Sequence, residues 1–425
     1  MKRLTLLFSS ALAVGAGATL IACGGGGSEP SSSPASAPVA APAPAPAAAP
    51  SLTREVLSVP GGLSSPWDLA FLPDGSMLIT EKCAGLSIVR NGARTRLFGT
   101  AGNSTVAPDL FCERQSGMLG VAVDPDFGGG NRFVYLFMSS NATTPRRNRV
   151  VRLTLATDFQ GVGDRTDIVD DIAFKHVGNA VGGAGAHSGG RLRFGVAADD
   201  RYLYVTTGDN HSGPLPQSPV APLGGKVLRV TRDGTAAPGN NPPPGFDARI
   251  FTFGHRNVQG IAFRPGSGQP FISEHGPNHS DEVTPLAAGG NGGWDPRDRP
   301  NLSCPDGYCG YAGNARTMPM TDTARFPAAM LPSWTNNGAS QGMGPAAFLS
   351  GARWKAWDGR LAVGIMSGQR IEILTLDAAG FATATTTATA TNGSLAARIR
   401  SLVQGPDGNL YVLTDSNQLW RIVPG

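Results

Sequence analysis

The chain has 425 residues, 40% of them hydrophobic, which is enough for one large domain or two smaller ones. Its 58 glycines and 34 prolines make turns abundant. Lys and Arg total 35 against 31 Asp and Glu, a balance that excludes a basic nucleic-acid-binding protein, and no basic run occurs outside the first residues.

In chain order, "MKRLTLLFSSALAVGAGATLIAC" comes first, with a basic start, an apolar run and a small-residue end. It reads as a secretory signal over residues 1–22. Leu20-Ile21-Ala22-Cys23 resembles a bacterial lipobox, which implies cleavage before Cys23 and its diacylation. Gly24 rather than Asp after the cysteine favours the outer membrane of the cell envelope, with the folded part facing the periplasm. Each buried acyl CH₂ contributes about 0.8 kcal/mol, so such an anchor needs no transmembrane helix. Residues 23–51 continue as a Gly/Ser and then Ala-Pro tract, a tether too poor in core-forming side chains to pack.

The domain proper spans residues 52–425. Cys83, Cys112, Cys304 and Cys309 form an even set in an exported chain, which points to two disulfides. Cys304 and Cys309 bracket a Pro-Asp-Gly-Tyr turn and are the favoured pair, leaving Cys83 for Cys112; a zinc site is the alternative, without a CxxC spacing to support it. Short apolar runs alternate with Gly/Pro/Asp/Asn turns throughout, as in all-β proteins. One unit of turn, strand, polar kink and second strand recurs loosely. It is seen in "LPDGSMLITEKCAGLSIVRNG", "RFVYLFMSS" with "NRVVRLTL", "AADDRYLYVTTGDN" with "GGKVLRVTRDG", "FRPGSGQPFISEHGPNHSDEVTPL", "WDGRLAVGIMSGQRIEILTLD" and "GPDGNLYVLTDSNQLWRIVPG". No such unit buries both faces alone. The expectation is a six-bladed β-propeller of four-stranded antiparallel blades, with seven blades as the alternative. "TREVLSV" (53–59) would lend a strand to the last blade and close the ring. Residues 100–116, 157–186, 210–223 and 295–345 are expected as loops on the faces.

The phrases "SSPWDLAFLPDGSMLITEK", "QSGMLGVAVDPDF", "HSGGRLRFG", "LYVTTGD", "GGKVLRV", "GHRNVQGIAF", "SEHGPNHSDEV" and "GGNGGWD" occur in this order. Together they resemble the soluble PQQ-dependent aldose sugar dehydrogenases, the glucose/sorbosone dehydrogenase family. The resemblance implies an enzyme that oxidises the anomeric carbon of an aldose to a lactone. A histidine takes the proton, PQQ takes the hydride, calcium assists, and an external quinone or cytochrome receives the electrons.

Carried over residue by residue, the family's base is His187 of "HSGGRL". A neutral imidazole suits proton abstraction near pH 7, and the surrounding glycines permit close approach of a ligand. Arg256 would stabilise charge developing on the quinone, with Asn257 beside it; His255 reads as structural. Arg398 and Arg400, at i and i+2 on a strand, share a face and form a receptor for the PQQ carboxylates. Gln115 matches a glutamine touching cofactor or sugar, and Trp334 and Asn336 fall near a family segment over the cofactor. Calcium at the site would use carbonyls of Gly276 and Pro277; a second, structural calcium would use Glu282 and Gly292. Two departures stand out. The glucose branch places a lysine on PQQ where this chain has Ser367, and an acid before the catalytic histidine where this chain has Ala186. The first aligns it with the branch of broader sugar specificity, and the second implies altered contacts to the sugar. The competing readings are a propeller that binds an envelope glycan or protein without catalysis, and a calcium-dependent hydrolase.

Overall fold

The computed structural model describes residues 48–99, 107–176, 182–300, 303–304, 307–311 and 318–425. The signal, Cys23 and most of the tether lie outside them. No helix among the described residues is long and apolar enough to cross a membrane.

Six sheets succeed one another along the chain, and each runs from an inner strand at the axis to an outer strand at the rim. The first blade is Pro66–Phe71, Met77–Glu81, Gly85–Arg90 and Ala93–Phe98. The second is Met118–Val123, Phe133–Ser140, Arg147–Leu155 and Val162–Ile172. Leu192–Phe194, Leu203–Thr206, Lys226–Val230 and Ile250–Phe253 make the third, with an added two-residue parallel strand, Gly290–Asn291. The fourth is Val258–Phe263, Pro270–Glu274, Glu282–Pro285 and Trp334–Thr335; the fifth is Met343–Phe348, Leu361–Ile365, Arg370–Leu376 and Ala382–Thr387. In the sixth, Ile399–Gln404, Leu410–Thr414 and Leu419–Pro424 are completed by Leu52–Leu57, paired from Leu52↔Pro424 to Leu57↔Leu419. The N-terminal strand therefore closes the ring, as its sequence suggests.

Apolar side chains on both faces of the blades fill the gaps between neighbours. One cluster joins Trp67, Leu119, Tyr135, Phe137, Leu203, Leu228 and Ile250 across the first three blades. Inner strands crowd at the axis. A Cβ on Gly120 would run into the Gly190 carbonyl of the next blade, so glycine there is a packing requirement. The axis itself is polar. Asp68, wholly buried, takes both guanidinium groups of Arg191 and Arg193, the Ser401 hydroxyl at 2.8 Å and the Val121 amide at 3.2 Å. One carboxylate thus ties together inner strands of the first, second, third and sixth blades.

Both expected disulfides are present, Cys83–Cys112 and Cys304–Cys309, so zinc is not needed to explain the cysteines. The 157–186 stretch departs from the expected loop. Val162–Ile172 is the outer strand of the second blade, its polar side chains facing solvent and bridged by Arg149–Asp167 at 2.8 Å and Arg165–Asp167 at 2.8 Å.

Candidate active site

In an antiparallel blade, the start of the inner strand and the end of the second strand lie on the same face. Residues just before inner strands (Gln115, His187, Arg256, Asn257, Arg398) therefore converge with residues just after second strands (Lys82, His211, His275, Met366). Together they enclose a cavity of about 620 Å³ at one end of the axis, with Trp67 also in its lining.

His187 is buried and sits in the left-handed region at φ 52°. Such a backbone is costly for a side-chain-bearing residue and must be held by its surroundings. Asn210 holds it, donating Nδ2 to the carbonyls of Ala186 at 3.1 Å and His187 at 3.0 Å. Gly208 packs so closely on the His187 carbonyl that a Cβ would clash. The ring is oriented by Asp209, whose Oδ1 lies 2.7 Å from Nδ1. A carboxylate there assigns the proton to Nδ1 and leaves the Nε2 lone pair free to accept, here from the Tyr311 hydroxyl at 3.0 Å. Asp209 is itself fixed by the Trp294 indole and the Tyr308 hydroxyl, each at 2.8 Å. Burial first, then the charges of Arg256, His275 and Lys175, hold the His187 imidazole well below its usual range. The imidazole is therefore neutral at pH 7.

Arg256 is 1% exposed. Burial opposes its charge, but Tyr308, Tyr311 and Asp209 outweigh burial and keep the guanidinium protonated. Nη1 donates to the His275 carbonyl at 3.0 Å, and the group lies 4.9 Å over the Tyr311 ring. Its Nε and Nη2 meet no acceptor in full hydrogen-bond geometry among the described residues. Buried donors without partners in the protein mark a place for a ligand's oxygen atoms. Asn257 lines the cavity, and its Oδ1 accepts from the Gly189 amide at 3.2 Å and Gln259 Nε2 at 2.9 Å.

Arg398 and Arg400 reach the cavity side by side, both paired with Asp415 at 3.0 and 2.7 Å. Lys82 joins them from the first blade. Burial, then the nearby Arg400, lowers its ammonium pKa. Four cations thus line the cavity among the described residues, and no carboxylate does. That donor set fits a polyanionic ligand.

The remaining expected residues divide. Gln115 lines the cavity and donates to the Gly182 carbonyl at 3.0 Å. Ser367 stands one step back, accepting from Arg398 Nη1 at 3.2 Å. Trp334 does not come to the cavity; it is a strand residue paired with Val283 and packed on the apolar core between the fourth and fifth blades. Asn336 is also outside the lining and bonds the Ala339 carbonyl at 2.9 Å and Asp281 at 3.4 Å. Gly276 and Pro277 do line the cavity, and the Gly276 amide is held by Asp281 at 2.9 Å. Glu282 lies away from it, directly across the sheet from Glu274. Burial, with Glu274 and Asp281 adding to it, pushes the Glu282 carboxyl up to about 8. Gly292 sits against the His255 ring, which bonds Glu274 at 3.2 Å and Thr252 at 2.8 Å. Two facing buried carboxylates suit a hard divalent cation. Asp209, Tyr308, Tyr311, Lys82, His211, Lys175 and His275 were not marked by sequence reasoning, although Asp209 ends the "LYVTTGD" phrase.

Residues 63–421 match the family model described as Glucose / Sorbosone dehydrogenase. The chain belongs to the glucose/sorbosone dehydrogenase family. It is 33% identical over 395 residues to an uncharacterized protein of Synechocystis sp., covering 87% of this chain and 86% of that one. With the quinoprotein glucose dehydrogenase B of Acinetobacter calcoaceticus it shares 28% over 276 residues, 59% of this chain and 53% of the other. The apo-form crystal structure of the soluble aldose sugar dehydrogenase of Escherichia coli superposes with a TM-score of 0.67 at 26% identity, over 88% of this chain and all (100%) of that one. Membership of this family makes the chain an oxidoreductase of the sugar dehydrogenase type.

Proposed function

We propose that this chain oxidises the anomeric carbon of aldose sugars to lactones, with PQQ and calcium as its cofactors. The observation that carries the reading is the cavity itself, where a neutral, carboxylate-oriented histidine faces a cradle of four cations with no lining carboxylate. When bound, PQQ supplies an ortho-quinone that takes up two electrons from the sugar carbon. Lys82, Arg398 and Arg400 would bind its carboxylates, and the unpartnered Nε and Nη2 of Arg256 would hold its oxygens. Calcium would rest on Gly276 and Pro277 and supply Lewis acidity, while a second ion between Glu282, Glu274 and Gly292 would be structural.

His187 Nε2 takes the proton of the anomeric hydroxyl. Nδ1–H of the same ring stays on Asp209, which stabilises the imidazolium as it forms. The Tyr311 hydroxyl marks where the sugar hydroxyl would sit, within bonding distance of Nε2. Electrons would leave to an external quinone or cytochrome. The lipobox-like Leu20-Ile21-Ala22-Cys23 supports a lipid-anchored position on the periplasmic side of the cell envelope.

The test uses purified full-length protein with calcium, PQQ and a panel of aldoses, following dye reduction and melting temperature. Reduction that requires both cofactors, and that His187→Ala abolishes without losing the PQQ-induced rise in melting temperature, is the expected result. A wild-type protein that shows neither turnover nor a melting shift with PQQ would overturn the assignment and favour a binding propeller.

A further inference from the structure

Behind His187 lies a pair of residues that neither the cation cradle nor the sugar chemistry employs. Lys175 is 3% exposed, and its Nζ stands 2.7 Å from Nδ1 of His211. His211 is 6% exposed, and its ring meets that of His187 edge to face, with centroids 3.9 Å apart and planes at 90°. Lys175 follows the outer strand of the second blade, whereas His211 follows the second strand of the third. The pair therefore bridges two blades beneath the base.

An ammonium has donors only, so the bond uses the lone pair of Nδ1. The proton of neutral His211 then sits on Nε2, which is buried and has no acceptor among the described residues. A second proton would put imidazolium beside ammonium. Burial, with His187, Lys175 and Arg256 adding to it against Asp209, accordingly pushes the His211 imidazole down to about 2.

Asp209 poses the difficulty this pair answers. A carboxylate 2.7 Å from Nδ1 favours imidazolium, and a protonated His187 can accept nothing. The groups facing His187 among the described residues are Asp209 at Nδ1, Tyr311 at Nε2, the His211 ring, and Arg256, His275 and Lys175 around them. Arg256 faces the cavity, where a bound anion would share its charge. Lys175 lies on the far side of His211, outside the cavity lining.

We infer that Lys175 is a positioning residue for the base: its ammonium, seated on Nδ1 of His211, holds His187 neutral by its charge against the pull of Asp209. The inference rests on His187 as the proton acceptor of the proposed reaction. Its test needs no turnover. Imidazole resonances of the full-length protein, labelled at histidine, report tautomer and protonation without sugar, PQQ or calcium.

In the wild type, His211 should show a protonated Nε2 and a hydrogen-bonded, unprotonated Nδ1. A proton on Nδ1 overturns the inference without any variant. In Lys175→Met the His187 titration midpoint should rise by about one pH unit, and Lys175→Arg should keep it near the wild-type value. His211→Gln retains an acceptor for Lys175 and should also keep it. An unmoved midpoint in folded Lys175→Met, or a full-unit rise in His211→Gln, overturns the proposal. If the midpoint moves as expected while no aldose is oxidised, the positioning role stands and the dehydrogenase reading falls. If turnover is present, the acid limb of kcat/KM should move with the midpoint.

Discussion

At the scale of single residues, Asp209 carries more of the site than its distance from the reacting atoms suggests. It receives His187, His211, Trp294 and Tyr308, and burial raises its carboxyl pKa while Arg256 and His211 pull it back. Asp209→Asn keeps the volume but can present an amide donor to Nδ1, which would turn the His187 proton to Nε2. The expected outcome is a fall in kcat of roughly 10³-fold or more with little change in PQQ affinity. Stopped-flow turnover and a fluorescence titration separate the two. A proportional loss of affinity would show that Asp209 holds the cavity rather than the base. The pH dependence follows from the same geometry. Because His187 is held well below 6.5, it is already neutral at pH 6.5, and kcat/KM should show no loss of base function from there to pH 8.

At the scale of elements, the segment carrying Tyr308 and Tyr311 has little regular structure beyond one short turn, Cys309–Tyr311, and is tied by the Cys304–Cys309 disulfide. Its two tyrosines reach Asp209 and His187, the latter 124 residues away in the chain. The double variant Cys304→Ser/Cys309→Ser should leave the propeller intact, because no blade strand among the described residues lies between the two cysteines. Its kcat/KM should fall by about tenfold, the scale of losing the one hydrogen bond from Tyr308 to the carboxylate that orients His187. Circular dichroism with steady-state assays decides; a collapse of the β signal would mean that the loop stabilises the ring. The same contrast explains what could be read from the chain alone. Strands with apolar residues on both faces, such as those in "RFVYLFMSS" and "WDGRLAVGIMSGQRIEILTLD", declared themselves, and so did the blade count. Val162–Ile172 did not, because an outer strand needs apolar residues on one side only and its Asp and Arg residues resemble a loop. His187, Arg256, Asn257, Arg398 and Arg400 were legible because they sit in phrases adjoining inner strands. Tyr311, Lys82 and the Lys175–His211 pair were not, since each acts through contacts that only closure of the ring creates. Trp334 was misplaced for a related reason, as an aromatic near the site in sequence lies in a strand of the blade core.

At the scale of the whole molecule, the axis supports the floor of the cavity. Arg191 donates to the carbonyls of Gln259 at 3.1 Å and Arg400 at 2.9 Å, and its guanidinium lies 4.1 Å from the Trp67 ring centroid. All of this hangs on Asp68. Burial alone would raise the Asp68 carboxyl, but Arg191 and Arg193 reverse that and hold it at about 2. Asp68→Asn would leave the buried Arg191 guanidinium, and the half-buried Arg193 beside it, short of a charge, which costs about 3–5 kcal/mol. For a domain of this size that is a melting decrease of roughly 4–6 °C. The sign of the pH dependence distinguishes this from mere cavity damage. A carboxyl depressed in the folded state contributes stability that is fully present above its unfolded value of 3.8 and is lost as pH falls towards 2. Histidines held neutral in the fold act in a different window. His187, His211 and His275 are all depressed, so each opposes folding as pH drops below 6.5, by up to about 1.4 kcal/mol per pH unit, in wild type and variant alike. Both proteins should therefore weaken in parallel from pH 6.5 to about 4. Below that their stabilities should converge, because only the wild type still has Asp68 to protonate. Urea unfolding at stepped pH measures the difference directly, and a gap that stays constant down to pH 2 would show that the axis is held by packing rather than by the Asp68 charge.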